Sequence, residues 1–211
     1  MKITAALAAW LCVAALARPA AAQAPTDVPS VSLRPFFLAA GERFTARQTF
    51  EAVFGRAVQP LWGGGLEVAF RRGFYVGITA SRFSRTGERA FFFDGEGFGL
   101  GIPLTATLTP LELTAGGRVW VTPRVIPYAG AGIGLYRYEE TSPFDEPFAA
   151  RHAGYHAVGG IELRVSRWVG IGGDVQYTYV SGIIGAGGIS QEAGERDLGG
   201  IAARFRVIVG R

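Results

Sequence analysis

Four carboxylates and four guanidiniums recur at strand-compatible positions in this 211-residue chain: Glu67, Glu112, Glu162 and Asp174 against Arg118, Arg164, Arg204 and Arg206. Each is flanked by apolar or glycine residues, so in an extended strand it faces away from an apolar surface. Equal numbers of opposite charge on enclosed faces suit a network that satisfies itself. An unpaired charge in a narrow interior costs several kcal/mol, on the order of the penalty for a buried ion that loses its partner. We therefore expect these eight residues to form a structural plug, with a gated polar path as the alternative.

Two other constellations offer chemistry. His152 and His156, with Ser181 and either Glu139 or Glu140, can be drawn as a nucleophile, base and orienting acid for acyl hydrolysis. No nucleophile motif surrounds Ser181, and His156 falls on the charged face of its strand, so the expectation is a non-enzyme. Glu139, Glu140, Asp145 and Glu146 supply oxygen ligands, but their spacing matches no calcium loop. They read as solvated surface charge, and neither a metal nor a cofactor is expected.

The elements that must position these groups are strands. After an apolar leader the sequence divides into eight strand-like stretches, beginning at 31–40 and 61–70 and ending at 168–180 and 197–210. Short turns at 71–73, 122–125 and 165–167 join strands two to three, four to five and six to seven, while the remaining gaps are long. That alternation suits an up-and-down barrel with four long loops at one end, three short turns at the other, and both termini on the short-turn side. Residues 1–22 read as a cleaved secretory signal: Lys2, an apolar run, and Ala20-Ala21-Ala22 before Gln23. Residues 23–30 form a short N-terminal segment and 31–211 the barrel.

Composition narrows the class. Cys12, the only cysteine, lies in the leader, which excludes disulfides and thiolate metal sites from the remainder. The formal charge of +4 falls to +2 without Lys2 and Arg18, too weak a balance to imply nucleic acid. Every cation after the leader is arginine, which suits pairing with carboxylates or phosphates. No apolar run of helix-spanning length follows the leader.

Period-two alternation also says which faces differ. In the seventh stretch Val169, Ile171, Val175, Tyr177 and Tyr179 oppose Gly170, Gly172, Asp174, Gln176 and Thr178; in the last, Ile201, Phe205 and Val207 oppose Ala202, Arg204 and Arg206. A soluble lipocalin-like barrel would turn the charged face to water. The mixture of glycine with both charge signs suits a narrow lumen instead, and Phe74, Tyr155, Tyr177 and Tyr179 suit an interfacial girdle.

Pro127-Tyr128-Ala129-Gly130-Ala131-Gly132-Ile133-Gly134, His152-Ala153-Gly154-Tyr155, Gly159-Gly160-Ile161-Glu162 and the last strand with Gly199-Gly200 and Phe205 resemble the small eight-stranded outer-membrane barrels of the OmpA-like and OmpW-like superfamily. The resemblance implies a monomer in the bacterial outer membrane with periplasmic termini. It implies contact with outer-membrane lipid and lipopolysaccharide, insertion by the barrel assembly machinery, and a structural or surface-interaction role. An OmpW-like conduit for small hydrophobic molecules is the next reading, and a lipid acyl hydrolase the third. The chain ends Val207-Ile208-Val209-Gly210-Arg211 rather than on the terminal aromatic typical of such barrels, with Phe205 the nearest substitute.

The long gaps carry their own signals. Thr45 and Gln48 make a capping-box pattern, and Phe50, Val53 and Phe54 share a helical face. A helix is expected over 46–54, packed over the barrel rim, with the alternative that it lies in the outer-leaflet interface or gates a small hydrophobic ligand. Asp94-Gly95 between phenylalanines marks a tight hairpin, around which the third and fourth strands are expected to project beyond the membrane, with Pro103 and Pro110 at bulges or unpaired positions.

Overall fold

A computed structural model describes residues 30–93, 96–143, 145–186 and 189–210. The leader, residues 23–29 of the N-terminal segment, the Asp94-Gly95 turn and Arg211 lie outside the described residues. Eight strands appear in chain order: β1 (Val31–Phe44), β2 (Val58–Phe70), β3 (Phe74–Phe93), β4 (Glu96–Arg118), β5 (Val125–Ser142), β6 (Asp145–Arg164), β7 (Val169–Val180) and β8 (Leu198–Val209). Helix α1 (Arg47–Phe54) lies between β1 and β2, and α2 (Ile189–Glu192) between β7 and β8. Each strand pairs antiparallel with its sequence neighbour, and β8 returns to β1 from Phe36↔Ile208 to Phe44↔Gly200, which closes the barrel.

The expected faces are the observed ones. Successive positions of β3 to β5 alternate between the two sides as the pleat requires, and the apolar set turns outward: Phe74 is 65% exposed and Ile133 66%. Outward hydrophobics of this size occur on all eight strands, from Leu33 on β1 to Phe205 on β8. A contiguous apolar exterior marks a surface built to meet another apolar phase.

At the short-turn end, side chains replace missing backbone partners. The Thr122 hydroxyl accepts hydrogen bonds from the N–H groups of Arg124 and Val125, and the Ser166 hydroxyl from those of Trp168 and Val169. Gly73 takes a left-handed φ of 88° in the β2–β3 turn, where its N–H donates to Phe70.

The other end departs from expectation in two ways. One expected long loop is an extension of strands, β5 running to Ser142 with β6 starting at Asp145, while β3 running to Phe93 with β4 starting at Glu96 is the projection expected around the Asp94-Gly95 hairpin. Residues read as gap keep the ladder, as in Thr86↔Thr105 and Glu140↔Phe148, because paired threonines and aromatics sustain a strand even where both faces are polar. Pro103 lies beside the register shift between Glu88 and Ala90, and Pro110 falls in the gap between the Ala80↔Leu111 and Phe83↔Leu108 pairs. Proline lacks an N–H, and both sites spare the ladder that loss.

The second departure concerns the capping of α1. Thr45 does not cap the helix; its hydroxyl donates to the Gly199 carbonyl at 2.9 Å, and Ala46 holds the cap position without a side-chain bond. Glu195, from the β7–β8 connection, takes the role instead. Its carboxylate accepts from Gln48 N at 3.1 Å, Thr49 N at 2.9 Å and the Thr49 hydroxyl at 2.6 Å. A full negative charge is the stronger acceptor at the positive end of a helix. Gly55 ends α1 at φ 72°, its N–H on the Glu51 carbonyl.

Thus anchored, α1 turns Phe50 and Val53 into the barrel mouth. Phe50 stacks on Phe44 with ring centroids 4.2 Å apart, and Phe54 meets Phe83 edge-on at 5.7 Å. Leu61, Leu108, Tyr136, Tyr138, Ile183, Ile184 and Leu198 complete a buried apolar core there. The helix thus packs over the rim and into the opening.

Candidate functional site

Beneath that apolar cap the lumen is filled by charge, arranged in levels. Nearest the short turns, β1, β2, β4 and β6 each contribute one residue to a closed ring. Arg34 donates to Glu67 at 2.8 Å and to Glu162 at 2.5 Å, while Arg118 donates to Glu67 at 3.0 Å and to Glu162 at 2.7 Å. Each guanidinium spans both carboxylates and each carboxylate accepts from both guanidiniums. The planar five-donor fork of arginine makes this possible, whereas a lysine ammonium would serve only as a point charge. All four residues are buried. The Arg118 guanidinium also sits 5.5 Å from the Trp120 ring centroid, and Arg164 Nε lies 3.7 Å from Glu162.

The next level is built on β7 and β8. Asp174 takes Arg204 Nε at 2.5 Å, lies 3.1 Å from Arg206 Nε, and accepts the Tyr128 hydroxyl at 2.5 Å. Arg204 also bonds the Gln176 side-chain oxygen. Arg206 is sandwiched between Tyr128 and Phe36, its guanidinium carbon 4.6 and 5.2 Å from their centroids. Its 3.8 Å approach to Glu67 joins this level to the ring.

Above, Glu112 accepts the Tyr136 hydroxyl at 2.7 Å and Gln176 Nε2 at 2.8 Å. His156 shares a 2.8 Å hydrogen bond with the Thr114 hydroxyl, and its Nδ1 lies 3.9 Å from Glu112. Gly132 makes room for that ring: a Cβ there would meet the imidazole at 2.8 Å and clash with the Leu113 carbonyl. Glu42 and Glu112 face a cavity of about 20 Å³, the space of roughly one water.

All eight residues singled out from sequence thus point inward. Sequence reasoning missed Arg34 and Glu42, the first a full member of the ring. With them the lumen beneath the apolar cap holds five guanidiniums and five carboxylates among the described residues: Arg34, Arg118, Arg164, Arg204 and Arg206 against Glu42, Glu67, Glu112, Glu162 and Asp174.

The drawn hydrolase triad does not assemble. The Ser181 hydroxyl donates to Asp197 at 3.0 Å, His156 is enclosed in the lumen, and His152 is exposed. Glu140 accepts the Tyr138 hydroxyl at 2.8 Å and Glu139 bonds Arg137 at 2.5 Å. Asp197 also accepts from Gly182 N and the Tyr179 hydroxyl, and these bonds, the backbone one foremost, hold its carboxyl below the usual range. Among the described residues no group of three or more histidines, cysteines or acids is placed to hold a metal.

A closed antiparallel barrel of eight strands, apolar outside and ionic within, has the architecture of the small transmembrane barrels. No protein-family model and no curated protein matches the sequence. Among solved structures the chain is similar to Ail, the attachment invasion locus protein of Yersinia pestis, crystallised with the heparin analogue sucrose octasulfate. That match has a TM-score of 0.55 at 12% identity and covers 87% of this chain and 100% of that one. Neisserial surface protein A matches with a TM-score of 0.50 at 11% identity, over 86% of this chain and 96% of that one. Both are eight-stranded outer-membrane barrels, and at such identity the likeness is one of fold.

Proposed function

We propose that this chain is an integral barrel of the bacterial outer membrane, its termini periplasmic and its role structural or surface-interacting, with a lumen closed by its own side chains. The carrying observation is the ring of Arg34, Glu67, Arg118 and Glu162 beneath a mouth filled by Phe44, Phe50 and Ile184. An eight-stranded barrel is only wide enough for side chains to fill. Two levels of bonded guanidinium and an apolar cap oppose the passage of ions and of small hydrophobes alike. His156 bonds Thr114 within the lumen while Ser181 bonds Asp197 at the base of the β7–β8 connection, which supports a non-enzyme.

Planar-bilayer recording tests the plug. The refolded wild-type barrel should give no discrete conductance steps, and Arg118→Ala, which opens the ring, should introduce them. A steady wild-type current would overturn the plug and favour the conduit reading.

A further inference from the structure

The outer wall carries a charged row that the lumen does not explain. Following the strands away from the short turns, the first charged outward side chain is Arg43 on β1, Arg82 on β3, Arg137 on β5 and Arg151 on β6. No carboxylate holds that place on any of the eight strands.

Three of these arginines fall on one cross-strand row. Arg137 is directly opposite Arg151 on β6 and Thr109 on β4. Arg82, opposite Trp62 on β2, lies between the Ala80↔Leu111 and Phe83↔Leu108 pairs, level with Thr109. Directly opposed side chains start about 5 Å apart, and Arg82 stands two strand spacings, about 10 Å, from Arg137. All three are exposed. Arg137 shares Glu139, whereas Arg82 and Arg151 have no hydrogen bond or ion pair among the described residues.

Like charges directly opposed on a sheet destabilise it unless an anion lies between them. Paired guanidinium forks suit the oxygens of a phosphate. The height of the row fits as well: from Val125 to Arg137, β5 rises about 30 Å at the usual rise and tilt, the thickness of a hydrocarbon layer. Immediately below, Leu111↔Leu135, Leu113↔Ile133 and Ile133↔Tyr155 form an apolar outward wall.

We propose that Arg82, Arg137 and Arg151 bind the phosphate of an outer-leaflet lipid whose acyl chains lie along that wall. The proposal rests on the membrane reading above and names the ligand chemistry of its outer surface.

The test titrates lipid A into the folded barrel in neutral micelles, with native mass spectrometry reading bound lipid. Wild type should bind, and the Arg137→Gln, Arg151→Gln double variant should lose roughly tenfold or more in affinity, the worth of one charged hydrogen bond or more. An Arg71→Gln, Arg72→Gln control at the opposite rim should bind as wild type does. Dephosphorylated lipid A should bind wild type no better than intact lipid A binds the double variant. Equal binding by wild type and double variant overturns the proposal, as does displacement of the lipid by millimolar inorganic phosphate, which would make this a free-anion site. Heat-modifiable gel migration verifies folding. If the double variant does not fold, Arg151→Gln alone should still weaken binding several-fold, and unchanged affinity there is equally fatal. Failure of the wild type to insert into any bilayer would bring down the membrane reading itself, a result distinct from equal binding by inserted barrels.

Discussion

Removing Arg34 alone should damage the barrel more than removing Arg34 together with one of its partners. In Arg34→Ala, Glu67 and Glu162 keep only Arg118 of the ring, so two buried carboxylates share one guanidinium. Breaking a buried ion pair from one side typically costs about 3–5 kcal/mol, or roughly two to three and a half decades in the folded-to-unfolded ratio. Replacing both members of a pair by apolar residues of similar volume is often close to neutral. In the Arg34→Met, Glu67→Leu double variant the remaining Arg118–Glu162 bond at 2.7 Å is balanced, and the losses are the 3.0 Å Arg118–Glu67 bond and the 3.8 Å contact of Arg206. The double variant should therefore be more stable than Arg34→Ala. Arg47→Ala serves as the control: its pair with Glu51 spans 3.4 Å between half-exposed side chains and is worth only about 0.3–0.5 kcal/mol. The assay is urea unfolding in lipid vesicles followed by tryptophan fluorescence, with Trp120 beside Arg118 as reporter. If Arg34→Ala costs no more than Arg47→Ala, or the double variant is the worse of the two, the ring is not the ionic unit inferred from its geometry.

Two further outcomes concern the mouth. Glu195→Ala should cost about 1 kcal/mol of local stability through loss of the α1 cap, seen as faster hydrogen exchange at Gln48 and Thr49 with the barrel amides unchanged. Asp197 should tie pH to the base of the same connection. Its folded pKa is depressed below the ordinary aspartate value, so its stabilisation is fully present above that ordinary value and is lost as pH falls through the lower folded one. Exchange at Gly182 N should accelerate in acid in the wild type and show no such step in Asp197→Asn.

Period-two alternation made the strands, their faces and the inward charges of β2, β4, β6, β7 and β8 legible. Arg34 escaped because β1 reads Arg34-Pro35-Phe36-Phe37-Leu38, apolar on both faces. Phe36 is buried under the Arg206 guanidinium while Phe37 is 55% exposed, and no pattern distinguishes them. Glu42 lay beyond an expected strand end at 40, since Gly41 resembles a terminator; pairing with β8 carries β1 on to Phe44. Ile183 and Ile184 sit in a connection rich in glycine and charge, and the tertiary mouth core buries them. The cap of α1 was equally out of reach, because its acceptor lies 147 residues from Gln48.

That last separation bears on where the chain can change. Glu195 on α1 and Thr45 on Gly199 both bridge the seam at which β1 meets β8, so the lid is fastened across the join that closes the cylinder. A sequence inserted into either lid segment would strain the seam. The hairpins between β3 and β4 and between β5 and β6 lie away from that seam in the strand order. Foreign peptides, and the drift of surface sequence between related chains, should be accommodated at those two hairpins, which makes the molecule a display scaffold with two open sites and one sealed lid.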